Sequence, residues 1–375
     1  MNSILDEISI LRKGTPWVID YKNINRYRIV TNEPNGTKTA YYFASPIYNN
    51  KTRKAVDMKF NSKDDVAYAT GSNANIIISN SIQMENSEGY CVISLPHRIS
   101  HISEKEILCG NERIYPTTNG VAIRSNCIDG KPFVLVIDIS KPFLEVRAND
   151  KYFALMSERF CPFVSISCIG TSDISGNTIS PAKISYQKIS DRRYTLTVSP
   201  CSSLGKSVLI EANLYEAKLF QDTTVESQTP KMNNAFGSIG FIGNTKEFGE
   251  QWLYSRPDYT KLHELNDKKI LRAILHIPKL NSGSVELTAS KVSARFCSFG
   301  STWDNKITEG SLITDAQITD HYIDLNLMSA LTDKHGRLYR SEGFILKTKK
   351  KNIGFSVIAT GDNYFAPQIL EINYR

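Results

Sequence analysis

Short runs of alternating apolar and polar residues, each closed by a turn signal, constrain this chain more than any other feature. Ile353, Phe355, Val357 and Ala359 alternate with their neighbours, and Thr360-Gly361-Asp362-Asn363 ends the run. Successive side chains of a strand point to opposite faces, so such a run suits a strand whose two faces see different surroundings. Ile323, Leu325 and Leu327 alternate against Asp324 and Asn326, and Leu370, Ile372 and Tyr374 against Ile369, Glu371 and Asn373. Residues 163–169 and 194–198 repeat the pattern, while Phe133-Val134-Leu135-Val136-Ile137 is short enough for a strand buried on both faces. Asn35-Gly36 lies between 27–30 and 39–43, which predicts a hairpin. The expectation is an all-β chain of two or three β-sandwich (jelly-roll-like) domains.

Only the N-terminus departs from this pattern. Ile4, Leu5, Ile8, Ile10 and Leu11 recur near helical spacing, Asp6 and Glu7 lie on the other side, and Gly14-Thr15-Pro16 ends the run. A helix this short is unstable alone, so it needs a surface, on its own body or on a neighbouring subunit. Residues 1–20 are therefore an expected leader helix or attachment arm. Behind it we place β blocks at 21–124 and 125–222, separate or fused into one sandwich, and a last module at 223–375. The polar stretch 221–230, ending in Pro230, marks the start of that module. Within the blocks, 173–177 and 202–205 read as turns, Ser103-Glu104-Lys105-Glu106 as a capping box opening one helical turn, and the basic run 347–351 as a solvated hairpin turn between strands.

Composition narrows the function classes. Among 375 residues, a net charge of +7 is mild and is not gathered into the basic, aromatic-rich face that nucleic-acid binding requires. Seven cysteines without a CxxC pair argue against a zinc site, and Cys91 and Cys297 read as small core residues of a protein made in a reducing compartment. No window has the apolar length of a membrane span, and residues 1–16 lack the apolar core of a signal peptide. His97 and His101 are four apart, but in a strand that spacing is about 13 Å and cannot form one metal site. A nucleophile elbow and a phosphate loop are absent from the sequence, so no catalytic residue and no cofactor is expected.

Three stretches of the last third carry a family resemblance. Ser301-Thr302-Trp303-Asp304-Asn305-Lys306-Ile307 is followed by Tyr322-Ile323-Asp324-Leu325-Asn326-Leu327 and, after a gap, by Glu342-Gly343-Phe344-Ile345-Leu346; the chain then reads Ala366-Pro367-Gln368-Ile369-Leu370-Glu371-Ile372-Asn373-Tyr374. In that order these resemble the DNRLRE family of β-jelly-roll modules, which are similar to carbohydrate-binding modules, and the whole chain resembles a structural protein of a phage or tail-like particle. The resemblance implies a jelly-roll at 223–375 and a binding surface drawn from Trp303, Asp304, Asn305, Tyr322 and Tyr364. Read from the residues alone, Trp303 anchors its loop against the core rather than stacking on a sugar, and Trp252 also reads as core. The implied role is that of a non-enzymatic virion protein, such as a tail-fibre or baseplate component, assembled in the bacterial cytoplasm and released by lysis. Its expected partners are other particle subunits, further copies of itself (as in a trimer) and bacterial surface polysaccharide, with no nucleic acid or membrane partner. An exported polysaccharide-binding protein and a glycan-processing enzyme are the alternatives.

Overall fold

A computed structural model describes the chain except residues 1–3, 50–53, 57, 128–130, 159–160, 172–178, 202–206, 282, 284 and 351–353. The expected turns at 173–177 and 202–205, with Lys351 and Ile353, lie outside the described residues. The fold is all-β, built on four large antiparallel sheets, with the helix Ile4–Arg12 at the N-terminus.

The chain divides into two compact units, one of residues 48–216 and one combining 2–47 with 217–375. In the first, Gly89–Ser94 pairs with Phe133–Ile139, and Gly120–Asn126 pairs with Ser207–Leu214. Strands from the 21–124 and 125–222 blocks thus share the same two sheets, each block forming a contiguous run of neighbours that meets the other at one of these pairings. Ile76, Ile93, Leu135 and Leu196 of one sheet and Ile114, Ile123, Val164 and Ile210 of the other fill a common core. In the second unit, Lys38–Phe43 pairs along its whole length with the last strand, Ile369–Tyr374. The divisions fall near 47 and 216, because a strand belongs where its edge hydrogen bonds are satisfied, not where it lies in the chain. Val30, Tyr42, Leu275 and Leu370 meet Leu253, Leu287, Leu346 and Ile358 in the second core.

Local expectations fared according to how local their physics is. The hairpin at Asn35-Gly36 forms between Arg28–Asn32 and Lys38–Phe43; Gly36 takes φ +79°, and the Asn35 side chain accepts the Thr37 N–H at 3.1 Å. Ser103 does accept the Glu106 N–H at 3.1 Å, but no helix follows. The bond closes the turn between the antiparallel strands Ile99–Ile102 and Ile107–Cys109, whose pairing outweighs a single helical turn. The strands on either side of the basic run, Phe344–Thr348 and Gly354–Ala359, do not form a hairpin, since Gly249–Pro257 and Ile239–Thr245 lie between them in the sheet. Lys347, Lys349 and Lys350 instead pair with Glu309, Asp315 and Glu286. Cys91 is buried as expected, whereas Cys297 is exposed, in the loop that leads to Trp303.

The helix Ile4–Arg12 docks on its own unit. Ile4 and Ile8 pack on Ile29, Tyr41, Phe43, Ile47 and Ile369, the outward face of the sheet whose other face lines the core. Polar contacts from the middle of the helix and from its C-terminal end reinforce this packing. The Tyr322 hydroxyl donates to the Glu7 carboxylate, and the Arg12 guanidinium donates to both Glu33 oxygens at 2.8 and 2.7 Å and to the Tyr41 hydroxyl at 3.0 Å.

Candidate ligand-binding surface

Trp303 sits in a loop pinned from several directions. Asn305 Oδ1 accepts the Thr302 N–H at 2.7 Å, and its Nδ2 donates to the Gly300 carbonyl at 2.9 Å. The Asn233 amide donates to the carbonyls of Ser298 and Ser301, both at 2.7 Å, and the Asp304 N–H reaches the Pro230 carbonyl at 3.0 Å. Inward, Tyr254 donates to the Ile307 carbonyl at 2.9 Å. The loop is therefore a preformed platform, with little ordering left to occur on binding.

Beside it stands Trp252, from the strand Gly249–Pro257. The two ring centroids are 5.1 Å apart at 57°, and both half-buried indoles pack on a small cluster of Val225, Tyr254, Val292, Phe296 and Ile345. The Trp252 Nε1–H is held by Glu250 at 2.9 Å. Lysine ammoniums lie over the rings, Lys306 at 4.3 Å from Trp303 and Lys347 at 5.3 Å from Trp252, a cation–π arrangement. Asp304 and Asn305 are exposed at the rim. The arrangement offers apolar ring surface within a charged and hydrogen-bonding border, suited to an amphipathic ligand.

Of the five residues expected to bind, the structure brings together Trp303, Asp304 and Asn305. It does not bring Tyr322 or Tyr364 to them. Tyr322 is buried, bonded to Glu7 and edge-on to His276 at 5.8 Å; Tyr364 is fully buried, with the Lys218 ammonium 4.7 Å from its ring centroid. Neither ring offers a face to a ligand. Trp252 is the residue that sequence reasoning assigned to the core instead. The available signal was parity, because Trp252 shares a strand face with polar Glu250, while Gln251 and Leu253 point to the buried side.

A second polar constellation lies on the sheet face that carries the N-terminal helix. His276 and Asp324 are cross-strand partners, and His276 Nδ1 is 2.7 Å from Asp324 while Nε2 is 3.3 Å from Glu371. Glu371 also pairs with Arg272 at 3.3 Å. Burial disfavours the imidazolium, but the hydrogen bonds and charges of Asp324 and Glu371 outweigh it and hold the His276 pKa above its ordinary value. An imidazolium favoured by folding contributes stability in full below the unfolded value of about 6.5 and loses it as pH climbs through the higher folded value. Urea midpoints of the wild type should therefore fall, relative to His276→Gln, as pH rises above about 6.5. Parallel profiles of the two proteins would show that His276 is not charged in the fold.

In the 48–216 unit, Lys63, Asp64, Asp65, Arg98 and His101 line a cleft of about 800 Å³. His97, by contrast, is tied to Glu112 at 3.0 Å. Among the described residues no group of three His, Cys, Asp or Glu side chains could hold a metal ion, and no helix is long and apolar enough to cross a membrane. Comparison with protein-family models and with curated proteins finds no match for this chain.

Proposed function

We propose that the protein is a non-enzymatic attachment or structural component of a virion or tail-like particle, and that its 2–47/217–375 unit binds a surface glycan at the Trp252–Trp303 patch. The observation that carries the binding role is the pair of half-buried indoles 5.1 Å apart on a pinned loop. Sugar rings present apolar C–H faces that such rings can cover, while hydroxyls find partners at a polar rim. The particle setting rests on the resemblance of residues 301–374 to DNRLRE-type modules. A packing role for the same patch is the second reading, supported by the Lys306 ammonium over Trp303, which covers ring surface that a sugar would need.

The test is binding of the full chain to a panel of bacterial surface polysaccharides, with Trp303→Ala and Trp252→Ala in parallel. The expected result is saturable binding weakened more than about tenfold in both variants, as for a central aromatic contact, with unchanged circular dichroism. Absence of binding by the folded wild type would leave the patch as a packing surface.

A further inference from the structure

The second candidate for chemistry lies in the interior of the same unit, in residues that the glycan reading does not use. Lys218 stands just before the strand Phe220–Glu226, and Asp362 lies in the turn after Gly354–Ala359. Their side chains meet: Lys218 Nζ contacts Asp362 Oδ1, with 3% of the lysine side chain and 10% of the aspartate side chain exposed. The Tyr364 ring lies 4.7 Å from the ammonium, and Leu219, Phe220 and Tyr364 are all buried around the pair. A third ionisable group completes the cluster. Asp222, 3% exposed, accepts the Gly361 N–H through Oδ2, while its Oδ1 has no hydrogen-bond partner. We propose that Lys218 and Asp362 condense into an intramolecular amide bond, with Asp222 carrying the protons.

Both reacting groups are held in place. The Thr360 hydroxyl donates to the Gly237 carbonyl at 2.7 Å, the Asn363 amide donates to the Ser238 carbonyl at 3.1 Å, and the Ala366 N–H reaches Asn363 Oδ1 at 2.6 Å. These bonds pin the turn that carries Asp362. On the lysine side, the Leu219 N–H bonds the Ala44 carbonyl at 3.1 Å, and the Leu219 carbonyl accepts the Asp258 N–H at 2.6 Å. Gly361 lets the turn close over Asp222, since a Cβ there would stand 3.0 Å from Asp222 Oδ2 and 3.0 Å from Phe220 Cβ. Held at contact distance by the fold, an amine and a carboxyl group react as one molecule, free of the entropy cost that makes the same condensation negligible in dilute solution.

The chemistry balances without a co-reactant. Within the ion pair, transfer of one proton from the Lys218 ammonium to the Asp362 carboxylate gives a neutral amine and a neutral acid, a change that an apolar, dehydrated site favours over water. The Nζ lone pair then forms a bond to Asp362 Cγ, and the carbonyl electrons move to oxygen. Asp222 in its acid form gives its proton to the departing hydroxyl, which leaves as water with the C–O electron pair, and the Asp222 carboxylate takes back the remaining proton from nitrogen. The net change is amine plus acid to amide plus water, with Asp222 restored. Burial, together with the neighbouring Asp362 charge, holds the Asp222 carboxyl well above the usual range, which favours the acid form this step needs. The product would tie the lead into one strand of the unit to the turn before its last strand, Ile369–Tyr374, across 144 residues of chain.

The experiment is the mass of the purified full chain under denaturing conditions, followed by tryptic mapping. The expected result is a mass one water below that of the sequence, no cleavage after Lys218, and a single branched peptide joining Lys218 to Asp362. Lys218→Arg and Asp362→Ala should each restore the full mass, and Asp222→Asn should leave most molecules uncondensed. A wild-type digest containing a peptide that ends at free Lys218, at the full sequence mass, would overturn the proposal whatever the variants do. A branched peptide that persists in Asp222→Asn would overturn the role given to Asp222.

Discussion

Replacing Arg12 with alanine is expected to destabilise the 2–47/217–375 unit by at most about 3 kcal/mol, the lower end of the range for breaking a buried ion pair, since this pair is only partly buried. Arg12 and Glu33 keep 6% and 11% of their side chains exposed, and the bond between them is two-pronged. Arg12 Nη2 also donates to the Pro16 carbonyl at 3.0 Å, so the guanidinium clamps the chain just beyond the helix as well. Without it, the Glu33 carboxylate, which Arg12 helps hold below its usual pKa, stays in a site made for a charged partner. The cost is at the lower end because the helix can detach and let water reach Glu33. Deleting residues 1–16 should go further, since it also exposes the apolar patch under Ile4 and Ile8. That patch is what would make a truncated protein prone to associate. Thermal or urea unfolding of the variants decides the matter, and an unchanged midpoint in Arg12→Ala would mean the helix contributes nothing to the unit.

Phe153→Ala is expected to cost the 48–216 unit about 3–5 kcal/mol, as for large aromatic truncations in a packed core. Phe153 is fully buried, with Tyr186 and Tyr194 at ring distances of 5.3 and 5.4 Å, so truncation would open a cavity beside the buried Tyr194 ring. Phe153→Leu, which keeps more of the volume, should cost markedly less. Together with Arg12→Ala this substitution also tests the division into two units. Each variant should lower one unfolding transition and leave the other in place. Equal movement of both transitions by either variant would show that the units unfold as one block.

How much of the site was legible follows from the range of the interactions involved. Trp303, Asp304 and Asn305 are consecutive, and their loop is closed largely by local bonds such as Asn305 to Thr302, so a resemblance confined to that one stretch suffices to group them. Tyr322 and Tyr364 were grouped with them on resemblance alone, and long-range packing took both away, Tyr322 to the N-terminal helix and Tyr364 to Lys218. Trp252 joins Trp303 from 51 positions away across the sheet, and only the pairing of its strand with Phe220–Glu226 and Phe344–Thr348 brings it there. The Lys218, Asp222 and Asp362 cluster left no sequence signal, because its members are a lysine and two aspartates of a kind found on any surface, and burial alone makes them unusual.

The sequence by itself determined the class of structure. Alternation at a period of two, with glycine, asparagine and aspartate at the turns, fixes which segments can be strands and which face of each is apolar, and near-helical spacing marks Ile4–Arg12 as the exception. These are properties of a few consecutive residues. The tertiary structure alone decided which strands are neighbours: Asn373 donates to Thr37 across 336 residues, and the N-terminal strands complete the C-terminal unit rather than the one that follows them in the chain. A strand's own pattern states that an edge needs a partner but not which one. That choice depends on register and on the total apolar surface removed from water, quantities that exist only once the whole unit has assembled.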